Sequence, residues 1–218
     1  MICGVTAPID DSWNRIEVWL AEHAPATFAG LEPPAAPETI AIAETAIGLP
    51  FPNALKQSLL RHNGTGYYDL LPALWRLLSA EDIADNWQLN TSIQIELASG
   101  GKGNSPLEAD TLSWWHPQWI PFAADGGGDH LVIDQRSTPR QGRIGTASHE
   151  TFGSFAQDAM RASLPALFQA TAAALETGDV IYGRRRTVTG NGELEWAAPP
   201  REPRPDGGRR GRGRRAAD

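Results

Sequence analysis

Residues Trp114–Asp134 read WWHPQWIPFAADGGGDHLVID. Two short apolar runs, Trp119-Ile120-Pro121-Phe122 and Leu131-Val132-Ile133, flank the turn Ala124-Asp125-Gly126-Gly127-Gly128-Asp129. Apolar runs of this length, bounded by Pro and Gly clusters, read as strands rather than helices. The glycines allow the positive φ that a tight connection needs. The stretch therefore predicts a β-hairpin at the centre of the fold, with its aromatic face buried.

Upstream, Asp10-Asp11-Ser12 are N-cap candidates for a helix carrying Trp13, Ile16 and Leu20 to about Ala24. Residues 25–37 are Pro/Ala-rich and read as a loop. Pro37-Glu38 opens a second helix with Ile40, Ala43 and Ile47 on one face, stopped by Gly48. Pro52 starts a third, with Phe51, Leu55 and Leu59 inward and Arg61-His62-Asn63-Gly64 as its stop. Segments 66–71 and 73–78 fit a first pair of strands. Ser79-Ala80-Glu81-Asp82 resembles a capping box and leads into a helix with Ile83 and Trp87, continuing weakly through Ile93 and Leu97. Residues 99–110, SGGKGNSPLEAD, read as a flexible loop.

Downstream, 136–141 reads as a turn and 142–146 as another strand. A long helix starts at Thr151 or Ser154, carries Phe155, Ala159, Leu164, Leu167 and Leu175, is kinked or divided at Pro165, and ends at Gly178. Residues 180–182 and 193–196 are candidate late strands. The pattern predicts an α+β fold: a mainly antiparallel (mixed) central sheet with helices packed on one face. The domain plan is a flexible terminus at 1–9, an α+β domain at 10–178, an extension at 179–200 and an Arg/Gly/Pro-rich tail at 201–218.

Charge is divided between two parts of the chain. The whole carries −7, from 19 Lys+Arg against 26 Asp+Glu. Residues 201–218 hold Arg201, Arg204, Arg209, Arg210, Arg212, Arg214 and Arg215 against Glu202, Asp206 and Asp218, a balance of +4, which leaves −11 on residues 1–200. The tail has too little apolar surface to offset the entropy of ordering and is expected to be disordered. No apolar run reaches the roughly 20 residues of a membrane span. The start, MICGVTAPIDDSW, has neither the basic n-region nor the apolar h-region of a signal peptide, so a cytoplasmic location is expected. The sequons at Asn63 and Asn90 then read as chance. Cys3 is the only cysteine, which excludes an internal disulfide and a Cys-cluster metal site.

The order of these elements resembles a known family. An early helix with Trp is followed by Ile47-Gly48-Leu49-Pro50-Phe51-Pro52 and by Leu60-Arg61-His62-Asn63-Gly64. Then come Trp75-Arg76-Leu77-Leu78-Ser79 with Ile83 and Trp87, Trp119-Ile120-Pro121-Phe122, Gly128-Asp129, 131–134 and Gly142-Arg143-Ile144. Each piece is short, and it is their order and spacing over roughly residues 10–175 that resemble the Smi1/Knr4 family of the SUKH superfamily. The resemblance implies a single α+β domain with a mixed sheet, used as a binding module. Bacterial members are similar to immunity proteins that neutralise polymorphic toxins, often nucleases or deaminases. Fungal members regulate cell-wall assembly through protein contacts. The resemblance brings no catalytic residues and no cofactor; the loops at 25–37 and 99–110 and the tail lie outside the common pattern.

The residues themselves point the same way. His149-Glu150 begins like a zincin motif, but Gly153 stands where the second His is needed. Gly126-Gly127-Gly128 lacks the following Lys-Ser/Thr and helix of a phosphate loop. No serine has the flanks of a nucleophile elbow. Asp129, His130 and Asp134 can be drawn as metal ligands beside a Gly-rich turn, but no second ligand pair stands at a metal-site spacing, which favours Asp129 as a turn cap and Asp134 as a strand end. Trp114 and Trp115 should point to opposite faces of an extended strand. One of them, with Asp125 and Asp129, forms the candidate partner-binding set, since exposed Trp is a common interface hot spot; the competing reading makes both a cap on the core.

The sequence thus predicts a non-enzymatic protein-binding domain without cofactor or metal. Its partner is a basic toxin or a cell-wall-related client, steered by the acidic body. The alternative is a nucleic-acid-binding accessory protein acting through Arg209, Arg210, Arg212, Arg214 and Arg215. That cluster holds no aromatic residue to stack on bases, and the acidic body opposes nucleic acid. A metal-dependent hydrolase around Asp129, His130 and Asp134 stands third. The oligomeric state is left open.

Overall fold

The hairpin forms as its sequence predicts: β2 (Trp119–Ala124) and β3 (His130–Asp134) pair antiparallel, with Ile120 opposite Ile133 and Ala124 opposite His130. The structure is a computed structural model that describes residues 9–99, 113–151, 153–155, 158 and 160–199. Asp125 closes the turn with its own side chain, Oδ1 accepting from the N–H groups of Gly127 (2.7 Å) and Asp129 (3.1 Å). Gly126 and Gly128 take φ of 75° and 106°, which is why glycine occupies those positions.

Around the hairpin the chain runs α1 (Ile9–His23), α2 (Pro25–Ala29), α3 (Pro37–Ile47), α4 (Asn53–Arg61), β1 (Arg76–Leu77) and α5 (Ala80–Ser99). After β2 and β3 come β4 (Ile144–Ala147), a 3-10 turn (Met160–Ala162), α6 (Leu164–Thr177), β5 (Arg185–Val188) and β6 (Leu194–Ala197). The main sheet has the order β1-β2-β3-β4, and β5-β6 is a separate hairpin. Every pairing among these strands is antiparallel, so the α+β reading holds and the sheet is not mixed.

Register divides the main sheet into two faces. Ile120, Phe122, Leu131, Ile133 and Ile144 join the principal core, which also contains Trp13, Ile16 and Leu20 of α1 and Phe168 and Leu175 of α6. Trp119 and Val132 point the other way and pack with Trp115 and Ala147, against Trp87 of α5 and Phe155. Helices on one face alone were expected; instead every residue of β2 and β3 is buried. Aromatic side chains close the second face. That packing fixes two glycines: a Cβ on Gly145 would stand 2.4 Å from the Phe155 ring, and one on Gly153 2.3 Å from the Trp119 ring.

Local signals explain the helices. Gly48 and Gly178 end α3 and α6 in left-handed conformations with φ of 69° and 73°. Asn63-Gly64 both ends the α4 turn and starts α5. Asn63 Oδ1 accepts from the Ala80 N–H (2.8 Å), and Ser79 Oγ accepts from that of Asp82 (3.0 Å), as the capping-box reading requires. Trp13 anchors α1 on α4 by donating Nε1–H to Ser58 Oγ at 3.0 Å.

Several sequence expectations are corrected. Asp10, Asp11 and Ser12 lie inside α1 rather than before it. The 25–37 segment contains α2, whose first turn accommodates Pro25. The strand pair at 66–71 and 73–78 reduces to a Leu71–Trp75 bridge and the two residues of β1, because Ala73 and Leu74 adopt φ of 69° and 74° and turn the chain. The last long helix begins at Leu164, capped by Ser163, so Pro165 sits in its first turn and causes no kink. Phe155 belongs to the bridged segment beside Thr146, and Ala159 lies outside the described residues. Ile181 makes only a bridge to Arg184, and the strand preceding β6 is 185–188.

The β5–β6 hairpin packs into the same core as α1 and α6. Trp196 is 1 % exposed and donates Nε1–H to the Leu70 carbonyl at 3.2 Å. The Leu194 N–H bonds Thr27 Oγ1 at 2.8 Å. Among the described residues no helix is long and apolar enough to cross a membrane.

Candidate functional site

Local geometry places the exposed Tyr67 and the half-buried Tyr68 beside three carboxylates. Thr65 and Tyr68 close a turn on each other: the Tyr68 N–H donates to the Thr65 carbonyl (3.0 Å), and Thr65 Oγ1 donates back to the Tyr68 carbonyl (2.8 Å). The Tyr68 ring lies over Gly30 at the end of α2, where a Cβ would meet it at 2.1 Å. Tyr67 is thereby turned outward and is 97 % exposed. Leu74, in the left-handed turn before Trp75, is 40 % exposed. Such strain in a non-glycine pair persists only where the surroundings hold it, here the bridge between Leu71 and Trp75.

Across from this loop lies β6. Leu194 and Trp196 point inward, so Glu195 between them is turned away from the core, and the half-buried Glu193 precedes the strand on the same side of the alternation. Between the two walls is a groove of about 460 Å³, lined by Tyr67, Tyr68, Asp69 and Leu74 on one side and by 193–196 on the other. Among the described residues that line it, three are acidic and none is basic. The outer edge of β6 has no strand partner among the described residues.

Burial raises the Asp69 carboxyl above its usual range; Arg76 opposes the shift and the charge of Asp125 adds to it. The acidic rim therefore extends from the groove to the β2–β3 turn. Asp129 continues it: its Oδ1 accepts from the backbone N–H of His149 (3.1 Å) and contacts His149 Nδ1 (2.9 Å), tying the turn to the loop after β4.

The tryptophans separate. Trp115 is fully buried and donates Nε1–H to Thr91 Oγ1 at 3.0 Å, so it belongs to the core and not to a contact surface. Trp114 is half-buried, its ring 6.3 Å from that of Trp115. Residues 100–110 of the adjoining loop lie outside the described residues, as do Arg209, Arg210, Arg212, Arg214 and Arg215.

The three residues drawn as metal ligands have separate partners. Asp129 holds His149, His130 Nε2 contacts Asn86 Oδ1 at 2.9 Å, and Asp134 is fully buried against Arg136. Asp134 Oδ1 accepts from the Arg136 N–H (3.0 Å) and Nε–H (2.9 Å), and Oδ2 accepts from Nη2 (2.7 Å). The Arg136 guanidinium also lies 5.4 Å from the Trp119 ring centre and 5.7 Å from that of Phe155. Burial lowers the basicity of His130, against the charges of Asp125 and Asp129. Among the described residues no group of three or more His, Cys, Asp or Glu is arranged to hold a metal ion.

Sequence reasoning selected Asp125 and Asp129 but missed Tyr67, Tyr68, Asp69, Glu193 and Glu195. The strand assignment at 66–71 hid the tyrosines. For the glutamates a signal was available, since Glu193-Leu194-Glu195-Trp196 alternates and so predicts one buried and one exposed face.

The model of the SMI1 / KNR4 family (SUKH-1) matches residues 34–158, more than half of the chain. The cell wall assembly regulator SMI1 of Saccharomyces cerevisiae is 26 % identical over 165 residues, covering 59 % of this chain and 33 % of the yeast protein. The chain thus spans about a third of the length of that curated relative. Tyr67, Asp69, Asp125 and Asp129 fall within the family match, whereas β6 lies beyond it. With its family model matched over most of the described fold, the chain belongs to the SMI1/KNR4 family (SUKH-1).

Proposed function

We propose that this chain is a non-enzymatic protein-binding domain whose acidic groove holds a basic segment of another protein. The observation that carries the reading is Tyr67, 97 % exposed beside Asp69, Glu193 and Glu195 in one concavity. An exposed Tyr offers large contact area at low entropic cost and stacks well on guanidinium groups. Carboxylates around it raise the encounter rate with a basic partner. The name of the yeast relative supports a client connected with cell-wall assembly. A basic toxin neutralised by an immunity-type protein fits the same groove chemistry.

The test is a photo-crosslinking amino acid at position 67 of the full chain in the native host, with one at position 18 of α1 as control. Support would be a basic protein captured only from position 67, with capture lost on Glu193→Gln/Glu195→Gln. Capture only from position 18, or capture indifferent to the two glutamates, would remove the groove from the function. RNA retained by the full chain, and released when the tail arginines are neutralised, would favour the tail-based reading instead.

A further inference from the structure

We propose that the groove has an occupant within the same chain: the Arg-Gly segment 207–215 docks into the acidic groove in cis and competes with the external partner. This rests on the groove being a site for basic segments, and it adds how that site is regulated.

Three observations carry it. The groove is lined by Asp69, Glu193 and Glu195 with no basic residue among its described lining, and Asp125 extends the negative field. The segment Gly207–Arg215 reads GGRRGRGRR, five arginines separated only by glycines. Finally, the strand that forms one wall of the groove is also the strand that leads to the tail. β6 ends at Ala197, and the described chain ends at Pro199.

Reach is sufficient. Arg209 is ten residues beyond Pro199, a span of about 33 Å when extended. The groove wall is a four-residue strand, about 13 Å long. Pro199, Pro200, Pro203 and Pro205 lack the N–H that strand pairing requires. They suit the return connection, and the proline-free Arg-Gly segment suits the groove. Its guanidinium groups meet carboxylates and the Tyr67 face, while glycine lets the backbone approach the groove wall closely. A tether this short holds the segment at an effective concentration on the order of 1 mM. An intrinsic dissociation constant of about 100 μM therefore keeps the groove filled and weakens an external competitor roughly tenfold.

The experiment uses full-length chains and a fluorescently labelled peptide of residues 201–218, followed by anisotropy at low salt. One chain is unchanged. A second carries Arg→Gln at 209, 210, 212, 214 and 215, and a third adds Glu193→Gln/Glu195→Gln to the second. Tyr67→Ala on the second chain serves as an independent groove variant, since that side chain is almost wholly exposed.

The expected result is peptide binding at least tenfold tighter to the second chain than to the first. Binding should be lost on the third, weakened by Tyr67→Ala, and weakened for all by salt. Equal binding to the first two chains would overturn cis occupancy while leaving the groove as a basic-segment site. No binding to any chain would overturn both readings. A dimer of the unchanged chain by light scattering, absent from the second chain, would place the tail in a neighbouring molecule and overturn the cis arrangement.

Discussion

Replacing Trp196 with alanine tests whether the β5–β6 hairpin is part of the cooperative fold or an appendage to it. The side chain is 1 % exposed and shares its core with Trp13, Phe168 and Leu175. Burying about 200 Å² of indole at about 25 cal/mol per Å² is an upper bound near 5 kcal/mol. Truncations of buried Trp cost about 3–5 kcal/mol. The same change also removes the Nε1–H donor of the Leu70 carbonyl, which puts Trp196→Ala in the upper half of that range. With a urea slope of about 2.5 kcal/mol per M, the unfolding midpoint should fall by about 1.5–2 M. Glu195→Ala, exposed on the same strand, should change stability by no more than about 0.5 kcal/mol. Urea unfolding followed by far-UV circular dichroism reads both. A midpoint for Trp196→Ala within about 0.3 M of the parent would refute the reasoning, because the hairpin would then contribute nothing to the stability of the rest.

Three further outcomes follow from the packing and the charges. Gly145→Ala should destabilise by about 1–3 kcal/mol through its clash with Phe155, and Phe155→Leu in the same chain should recover part of that loss; strictly additive effects would remove the clash as the cause. Asp134→Ala leaves the Arg136 guanidinium buried without its carboxylate and should cost about 3–5 kcal/mol in denaturant unfolding, whereas a cost below about 1 kcal/mol would show the site rehydrating. Asp69 has a folded pKa above its unfolded value, so its contribution to stability is present below the unfolded value of about 3.9 and is lost as pH rises through the folded one. Asp69→Asn should therefore raise the urea midpoint at pH 7 relative to its effect at pH 3, and equal effects at the two pH values would contradict the assignment.

The fold was legible wherever a local signal and tertiary packing agree. Gly48, Ser79 and the Asp125–Asp129 turn each act within a few residues, and each does what its residue type requires. Errors arose where a local signal is ambiguous. Tyr67-Tyr68-Asp69-Leu70 has strand-forming composition, yet its backbone is closed by Thr65 and redirected by the left-handed pair Ala73-Leu74. Trp114 and Trp115 were equivalent candidates in sequence, and only the Thr91 hydroxyl, 24 residues away, shows which of them is inside.

By itself, the sequence determined the α+β class, the central antiparallel hairpin, the glycine stops of α3 and α6, the Ser79 cap of α5, the charge division and the family. These properties depend on residue type and short spacing, which survive without coordinates. Tertiary structure alone decided the second buried face of the sheet, the sorting of Trp114 from Trp115, and the groove between Tyr67 and Glu195. Those two residues are 128 positions apart in the chain, and no local rule links them. They meet because Trp196 seeks burial under Leu70 and Thr27 binds the Leu194 N–H, so the site is set by long-range packing rather than by any motif.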